Sequence, residues 1–273
     1  MSAAGNSIAA RLDVFLAAWP QLVLVEVKQA KGSTPREEGA WMLVSQGAIF
    51  GTIGGGQLEF MAIDRAREML AANAPANDTL DVPLGPQIGQ CCGGRVEVGL
   101  KLTDKAVLAD IKQRVAHEDA MRPSIYIFGG GHVGHALADA MSLLPLAVTV
   151  VETRADMLEG LTGAVESKLT AMPEEIVRNA PEGSAFLVLT HDHALDFLIV
   201  SEALNRGDAA YVGMIGSKTK RATFASWYRK EAGGDETSLA RLVCPIGGAD
   251  VKDKRPAVIA ALAAAEVMRA LSV

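Results

Sequence analysis

Two adjacent cysteines, Cys91 and Cys92, sit in the glycine-rich stretch Gly85-Pro86-Gln87-Ile88-Gly89-Gln90-Cys91-Cys92-Gly93-Gly94. Neighbouring cysteines cannot grip one metal as a C-x-x-C pair does, and a disulfide between them is strained, so a scaffolding role explains them poorly. Thiol chemistry and inert burial as a small hydrophobe remain open. A thiolate exposed among glycine N–H groups and near Arg95 would have a lowered pKa and could carry sulfur or ligate a soft metal. Cys92 is the better candidate, because it directly precedes Gly93-Gly94, where the backbone can turn and leave the sulfur accessible. Cys244 lies in an apolar run and reads as core.

A second kind of chemistry is suggested by glycines ahead of helices, where bare N–H groups meet anions. Gly129, Gly131 and Gly134, with Gly130 and His132 between them, have G-x-G-x-x-G spacing after the apolar run Ser124 to Phe128. In a dinucleotide fold these glycines make the tight turn, admit a pyrophosphate and let helix pack on strand, and an acid ending the next strand meets the ribose. Glu152 ends the run Ala147 to Val151 and takes that place. In the first half, Gly54-Gly55-Gly56 precedes a helical pattern from Leu58 to Ala72, with Glu59 in its first turn. That turn is a candidate anion site.

Two further loops are chemically loaded. His191 and His193 flank Asp192 and could act as an acid–base pair or as metal ligands. The plainer role of Asp192 is to cap the helix that begins near Ala194. Gly216, Ser217 and Lys218 suit a phosphate, and equally suit a helix cap.

These loops need strands and helices to hold them. The spacing predicts a helix over Ser7 to Trp19, a strand over Leu22 to Val27, and a hairpin of Trp41 to Ser45 with Ala48 to Ile53. It also predicts a strand from Arg95 to Leu102 and a helix from Asp104 to His117. After the charged run Glu118 to Pro123, strands and helices alternate: helices His135 to Leu144, Glu174 to Asn179, Ala194 to Asn205, Lys218 to Lys230 and Pro256 to Leu271, and strands Ala185 to Leu189, Ala209 to Ile215 and Leu242 to Cys244. The fold class is α/β. An N-terminal mixed α/β domain (1–118) is expected before a linker (119–124) and a C-terminal Rossmann-like domain (125–273) with a mostly parallel sheet.

The chain has 273 residues, of which 49% are hydrophobic but only 5% aromatic, so aliphatic side chains must build the cores. A net charge of -6 argues against nucleic acid as a partner, since no excess of Lys and Arg exists to neutralise phosphates. No apolar run is long enough to span a membrane, the start lacks a signal-peptide pattern, and three cysteines make no disulfide framework. A cytoplasmic protein is expected.

Gly51 to Glu59, Gln90 to Gly94 and Gly129 to Gly134, in this order, resemble the xanthine dehydrogenase accessory protein family (XdhC/CoxI family). Gly32-Ser33-Thr34-Pro35-Arg36, Leu189 to Asp196 and Tyr211 to Lys218 match as well, so the resemblance covers nearly the whole chain. It implies a chaperone that binds the molybdenum cofactor (molybdopterin), shields it while a cysteine desulfurase adds its sulfido ligand, and passes it to a molybdenum hydroxylase such as xanthine dehydrogenase. On that reading the chain assists two enzymes rather than being one, and Cys92 would contact the molybdenum. A homodimer is left open, as is a nucleotide such as NAD in the Rossmann domain. The rivals are an NAD(P)-dependent oxidoreductase and a non-catalytic nucleotide-sensing regulatory module. One stretch departs from the family pattern: Ala249 to Ala260 carries Ala257 where an acid is expected after the proline.

Overall fold

The structure, a computed structural model, describes residues 7–71, 75–85, 93–162, 165–248 and 250–272. It divides into two compact units at His117 and Glu118.

The first unit is a five-stranded antiparallel sheet in the order β3-β2-β1-β5-β4, built from β1 (Val23–Lys31), β2 (Trp41–Val44), β3 (Ile49–Gly51), β4 (Asn77–Pro83) and β5 (Arg95–Leu102). Its central strands are apolar on both faces, as a sheet covered on both sides must be. Val23, Val25, Met42, Val44, Val96 and Val98 point toward α2 (Gly56–Ala71), which answers with Leu58, Ala62, Ile63, Ala66 and Met69. Leu24 and Leu43, one register position away, point to the opposite face. There they meet Leu12 of α1 (Ile8–Ala18) and Val107, Ile111 and Val115 of α3 (Lys105–Ala120).

Two findings differ from the periodicity. The first strand runs on to Lys31, across a register shift between Val27 and Gln29, and so carries the Gly32 loop at its end. A strand, β4, also occupies Asn77–Pro83, where no apolar run marks one; it is an edge strand in which only Val82 is buried.

The second unit is a six-stranded sheet in the order β8-β7-β6-β9-β10-β11, parallel throughout its described pairings. The strands are β6 (Ser124–Phe128), β7 (Ala147–Glu152), β8 (Val165–Leu169), β9 (Ala185–Val188), β10 (Tyr211–Met214) and β11 (Leu242–Val243). On one face lie α4 (His132–Met141) and α9 (Pro256–Leu271), where Ala138, Ala260, Ala263 and Ala264 contribute small side chains to the core. The other face is covered by α5 (Pro173–Asn179), α6 (His193–Asn205) and α7 (Lys218–Lys230), around Phe128, Phe186, Phe224 and Tyr228. A short helix, α8 (Glu236–Ala240), precedes β11. This strand order is that of a doubly wound nucleotide fold, with its switch point between β6 and β9. Among the described residues no helix is long and apolar enough to cross a membrane.

Candidate functional site

In the parallel sheet, ligands bind outside the carboxyl ends of the strands at the switch point, so the turn after β6 comes first. Gly129 has a left-handed φ of 119°, and a Cβ there would stand 2.8 Å from the carbonyl carbon of Leu189, at the end of β9. On Gly134 a Cβ would overlap the carbonyl of Gly129, so only glycine lets α4 seat on its strand. Gly131 meets nothing within 4 Å, and its backbone is open to a ligand. No side chain caps α4, which leaves its first N–H groups, from the exposed His132 onward, available to an anion. Gly129 and Gly134 thus have the turn and packing duties that their spacing suggested, and Gly131 stands open between them.

Glu152 is placed differently from the expectation that it meets a ribose. Its carboxylate turns inward and accepts the Gly130 N–H at 2.9 Å, the Thr153 N–H at 2.8 Å and the Arg154 N–H at 3.2 Å. Burial opposes its ionisation, but the Arg154 guanidinium and the Gly130 and Thr153 N–H groups outweigh that and hold the carboxyl down at about 2. Glu152 therefore fixes the glycine turn from behind, because its oxygens are taken up by the protein's own donors. The 3-10 turn Ala155–Leu158 closes over the same loop: the Met157 carbonyl carbon lies 3.0 Å from where a Gly130 Cβ would be, and the oxygen pairs with His135 Nε2 at 3.0 Å.

The two remaining loops of this sheet hold structure. Asp192 caps α6, accepting from Ala194 and Leu195, while His191 and His193 are exposed. No group of three or more potential metal ligands exists among the described residues. Ser217 caps α7 by accepting the Lys220 N–H, and Lys218 is exposed beyond Gly216. Beneath them lies a pair that motif reading missed. Asp196 is fully buried; it accepts the Thr190 N–H at 2.9 Å and hydroxyl at 2.7 Å, and it pairs with Lys220, whose ammonium also reaches the Ile215 carbonyl at 3.0 Å. The signal was present in the periodicity. Asp196 shares a helical stripe with the buried Ile199, Val200 and Ala203, and Lys220 shares one with Phe224 and Tyr228, so two opposite charges were due to enter the core. Cys244 packs partly buried against this core, and burial pushes its thiol up.

In the antiparallel unit three motif loops converge at one place. Gly93 bridges to Ser33, and a Cβ on Gly94 would stand 2.7 Å from the Lys31 carbonyl oxygen. On Gly54 a Cβ would stand 2.5 Å from Pro35 Cβ. The Gly32-to-Arg36 loop therefore touches both the Gly54 turn and the exit of the cysteine stretch. That stretch is closed at its base, where Leu84 and Gly93-Gly94 exchange two N–H···O=C bonds of 2.8 Å. Cys91 and Cys92 themselves lie outside the described residues.

The Gly54 turn, a candidate anion site from the sequence, already faces an acid. Gly54, Gly55 and Gly56 all have left-handed φ, of 121°, 77° and 67°. The anion in the turn is the protein's own: Glu59 accepts the Ile53 N–H at 3.0 Å, the Gly55 N–H at 3.2 Å and the Thr52 hydroxyl, while Gly54 donates to Thr52 Oγ1 at 3.0 Å.

An antiparallel α/β unit with a glycine-rich loop cluster, followed by a Rossmann unit with an intact glycine turn, defines a two-part nucleotide-fold protein. The comparisons narrow this. A family model described as the XdhC Rossmann domain matches residues 125–267, more than half of the chain, and one described as the XdhC and CoxI family matches residues 16–82. The chain belongs to the XdhC and CoxI family. It is 26% identical over 270 residues to the Escherichia coli (strain K12) protein described as "Uncharacterized protein YqeB", a match that covers 90% of this chain and 43% of that one. The chain thus spans less than half the length of that relative. In fold it is similar to a solved Bacillus halodurans structure described as a xanthine dehydrogenase, with TM-score 0.78 and 17% identity, covering 97% of this chain and 96% of the other.

Proposed function

We propose that this protein is a maturation factor for a molybdenum hydroxylase such as xanthine dehydrogenase, holding the molybdenum cofactor while a cysteine desulfurase supplies its sulfur. One observation carries the reading. The loop bearing Cys91 and Cys92 leaves and re-enters the fold beside the Gly32-to-Arg36 loop, which in turn packs on the Gly54 turn. Stretches separate in the chain, each part of the family pattern, are gathered at one place. Membership of the XdhC and CoxI family supports the link to xanthine dehydrogenase.

The residues suit the cofactor in kind. Its molybdenum end has soft sulfur ligands, which a thiolate at Cys92 matches. The exposed Arg36, in the loop that touches both neighbours, offers a guanidinium to its phosphate. The Gly54 turn is less suited to that phosphate than its sequence suggests, since Glu59 already holds two of its N–H groups. In the Rossmann unit the open Gly131 and the uncapped α4 suit a nucleotide, bound without hydride transfer.

The test is purification from a host that makes the cofactor, followed by molybdenum and pterin analysis and by activation of a desulfo hydroxylase. Cys92→Ala is expected to abolish activation with the fold intact by circular dichroism, Cys91→Ala to be milder, and Cys244→Ala to affect stability alone. Full activation by Cys92→Ala would remove the thiol from the mechanism. Steady NAD reduction with a simple alcohol would instead favour an oxidoreductase.

A further inference from the structure

The strand order puts the ribose position of a dinucleotide at the carboxyl end of β7, where Glu152, Thr153 and Arg154 stand. An acid at that position selects a free 2′-hydroxyl only if it has a lone pair to offer. The Glu152 side chain is 3% exposed. Its Oε2 accepts from Gly130, and its Oε1 accepts from the Thr153 N–H, the Thr153 hydroxyl at 3.1 Å and the Arg154 N–H. A carboxylate has about four lone-pair sites, so an incoming hydroxyl would have to displace a protein donor.

Arg154 is in the opposite condition. Its side chain is 37% exposed, and it touches Glu152 only through long contacts, Nε at 3.4 Å and Nη2 at 3.3 Å. Nη1 makes no hydrogen bond among the described residues, so one edge of the guanidinium is left to a ligand. A guanidinium binds a phosphomonoester dianion through two parallel, charge-assisted hydrogen bonds, and a neutral hydroxyl offers it far less.

We propose that Arg154 is the specificity-determining residue of the Rossmann site and selects a nucleotide whose ribose carries a 2′-phosphate over one with a free 2′-hydroxyl. Glu152 is then a positioning residue, which holds the glycine turn through Gly130 and sets the base of the Arg154 side chain. This rests on the reading that the Rossmann unit holds a nucleotide.

Calorimetric titration of the full chain with NADP, NAD, adenosine 2′,5′-bisphosphate and AMP tests it. Both 2′-phosphorylated ligands are expected to bind at least about tenfold more tightly than their partners, the scale of one charge-assisted contact. Arg154→Gln should bring each ratio to within about twofold, chiefly by weakening the two 2′-phosphorylated ligands, and Arg154→Lys should restore part of it, since a point charge replaces the fork. NAD binding as tightly as NADP, or a preference that survives Arg154→Gln, overturns the assignment to Arg154 and leaves the nucleotide site standing. Binding of none of the four overturns the nucleotide reading and the inference with it. If Arg154→Gln fails to fold, Arg154→Lys decides the assignment: ratios equal to those of the parent overturn it, and smaller ratios uphold it.

Discussion

The two glycine turns of this protein look alike in sequence and differ in what they leave free. Before α2, a run of three left-handed glycines lets Glu59, one turn into the helix, accept the Ile53 and Gly55 N–H groups while Gly54 donates to Thr52, so the turn is satisfied from within. Before α4, the equivalent helical position is His135, whose ring pairs with the Met157 carbonyl, and no side chain returns to the helix start. A glycine run ahead of a helix is therefore not an anion site by itself. Whether an acid falls at the right distance inside the helix decides if the N–H groups face a ligand or the protein's own carboxylate.

The largest effect is expected at the glycine that seats α4. Gly134→Ala places a methyl on the Gly129 carbonyl, a backbone group that cannot swing aside, and should cost about 3 kcal/mol in urea unfolding. A loss below about 1 kcal/mol would show that helix and strand do not approach as described. Glu152 comes next. Its carboxyl lies at about 2 in the folded protein against an ordinary 4.5, so the stability it contributes is present above about pH 4.5 and is lost as pH falls toward 2. That difference is worth about 3 kcal/mol, and Glu152→Gln should flatten this part of the stability–pH curve. Identical curves for the two proteins would rule out the inward-turned carboxylate.

Glu59→Ala should make the first turn resemble the second. It leaves the Ile53 and Gly55 N–H groups without their acceptor, at about 1 to 3 kcal/mol, and sulfate should then raise the melting temperature of the variant more than that of the parent. Equal responses to sulfate would show that the freed turn does not take an anion. The smallest effect is expected at Gly131→Ala. With φ at -77° and open space around it, stability should change by no more than about 0.5 kcal/mol, while nucleotide affinity falls as the new methyl meets the ligand. Unchanged affinity would remove Gly131 from the site.

What could be read from the sequence follows burial. Strands β6, β7, β9 and β10 are short apolar runs because both faces are covered, and their positions and the glycine turn between β6 and α4 were legible. Two of the four edge strands, β4 and β8, were not. β4 alternates only weakly, with Asp78, Leu80 and Val82 on its inner side and Pro83 at its end, and β8 buries none of its side chains, so backbone pairing marks both more plainly than side-chain pattern does. At the sites, residue types were legible and orientations were not. Nothing in the spacing says that Glu59 folds back on its own turn, which needs three left-handed glycines in a row, or that Glu152 faces Gly130 rather than solvent. The Asp196–Lys220 pair was legible in principle, as charges on otherwise apolar helical stripes.

The place of β1 in the middle of its sheet has a consequence for synthesis on the ribosome. Its partner on one side, β2, follows after one loop, but its other partner, β5, pairs Leu102 with Val23 and emerges only after the whole of α2 and β4. During that interval the nascent chain carries an unpaired edge flanked by Val23, Val25 and Val27, an open template for pairing with another chain. A ribosome stalled before Leu102 would release an aggregation-prone fragment, and slow translation between α2 and β5 would lower the yield of soluble protein without altering a single residue of it.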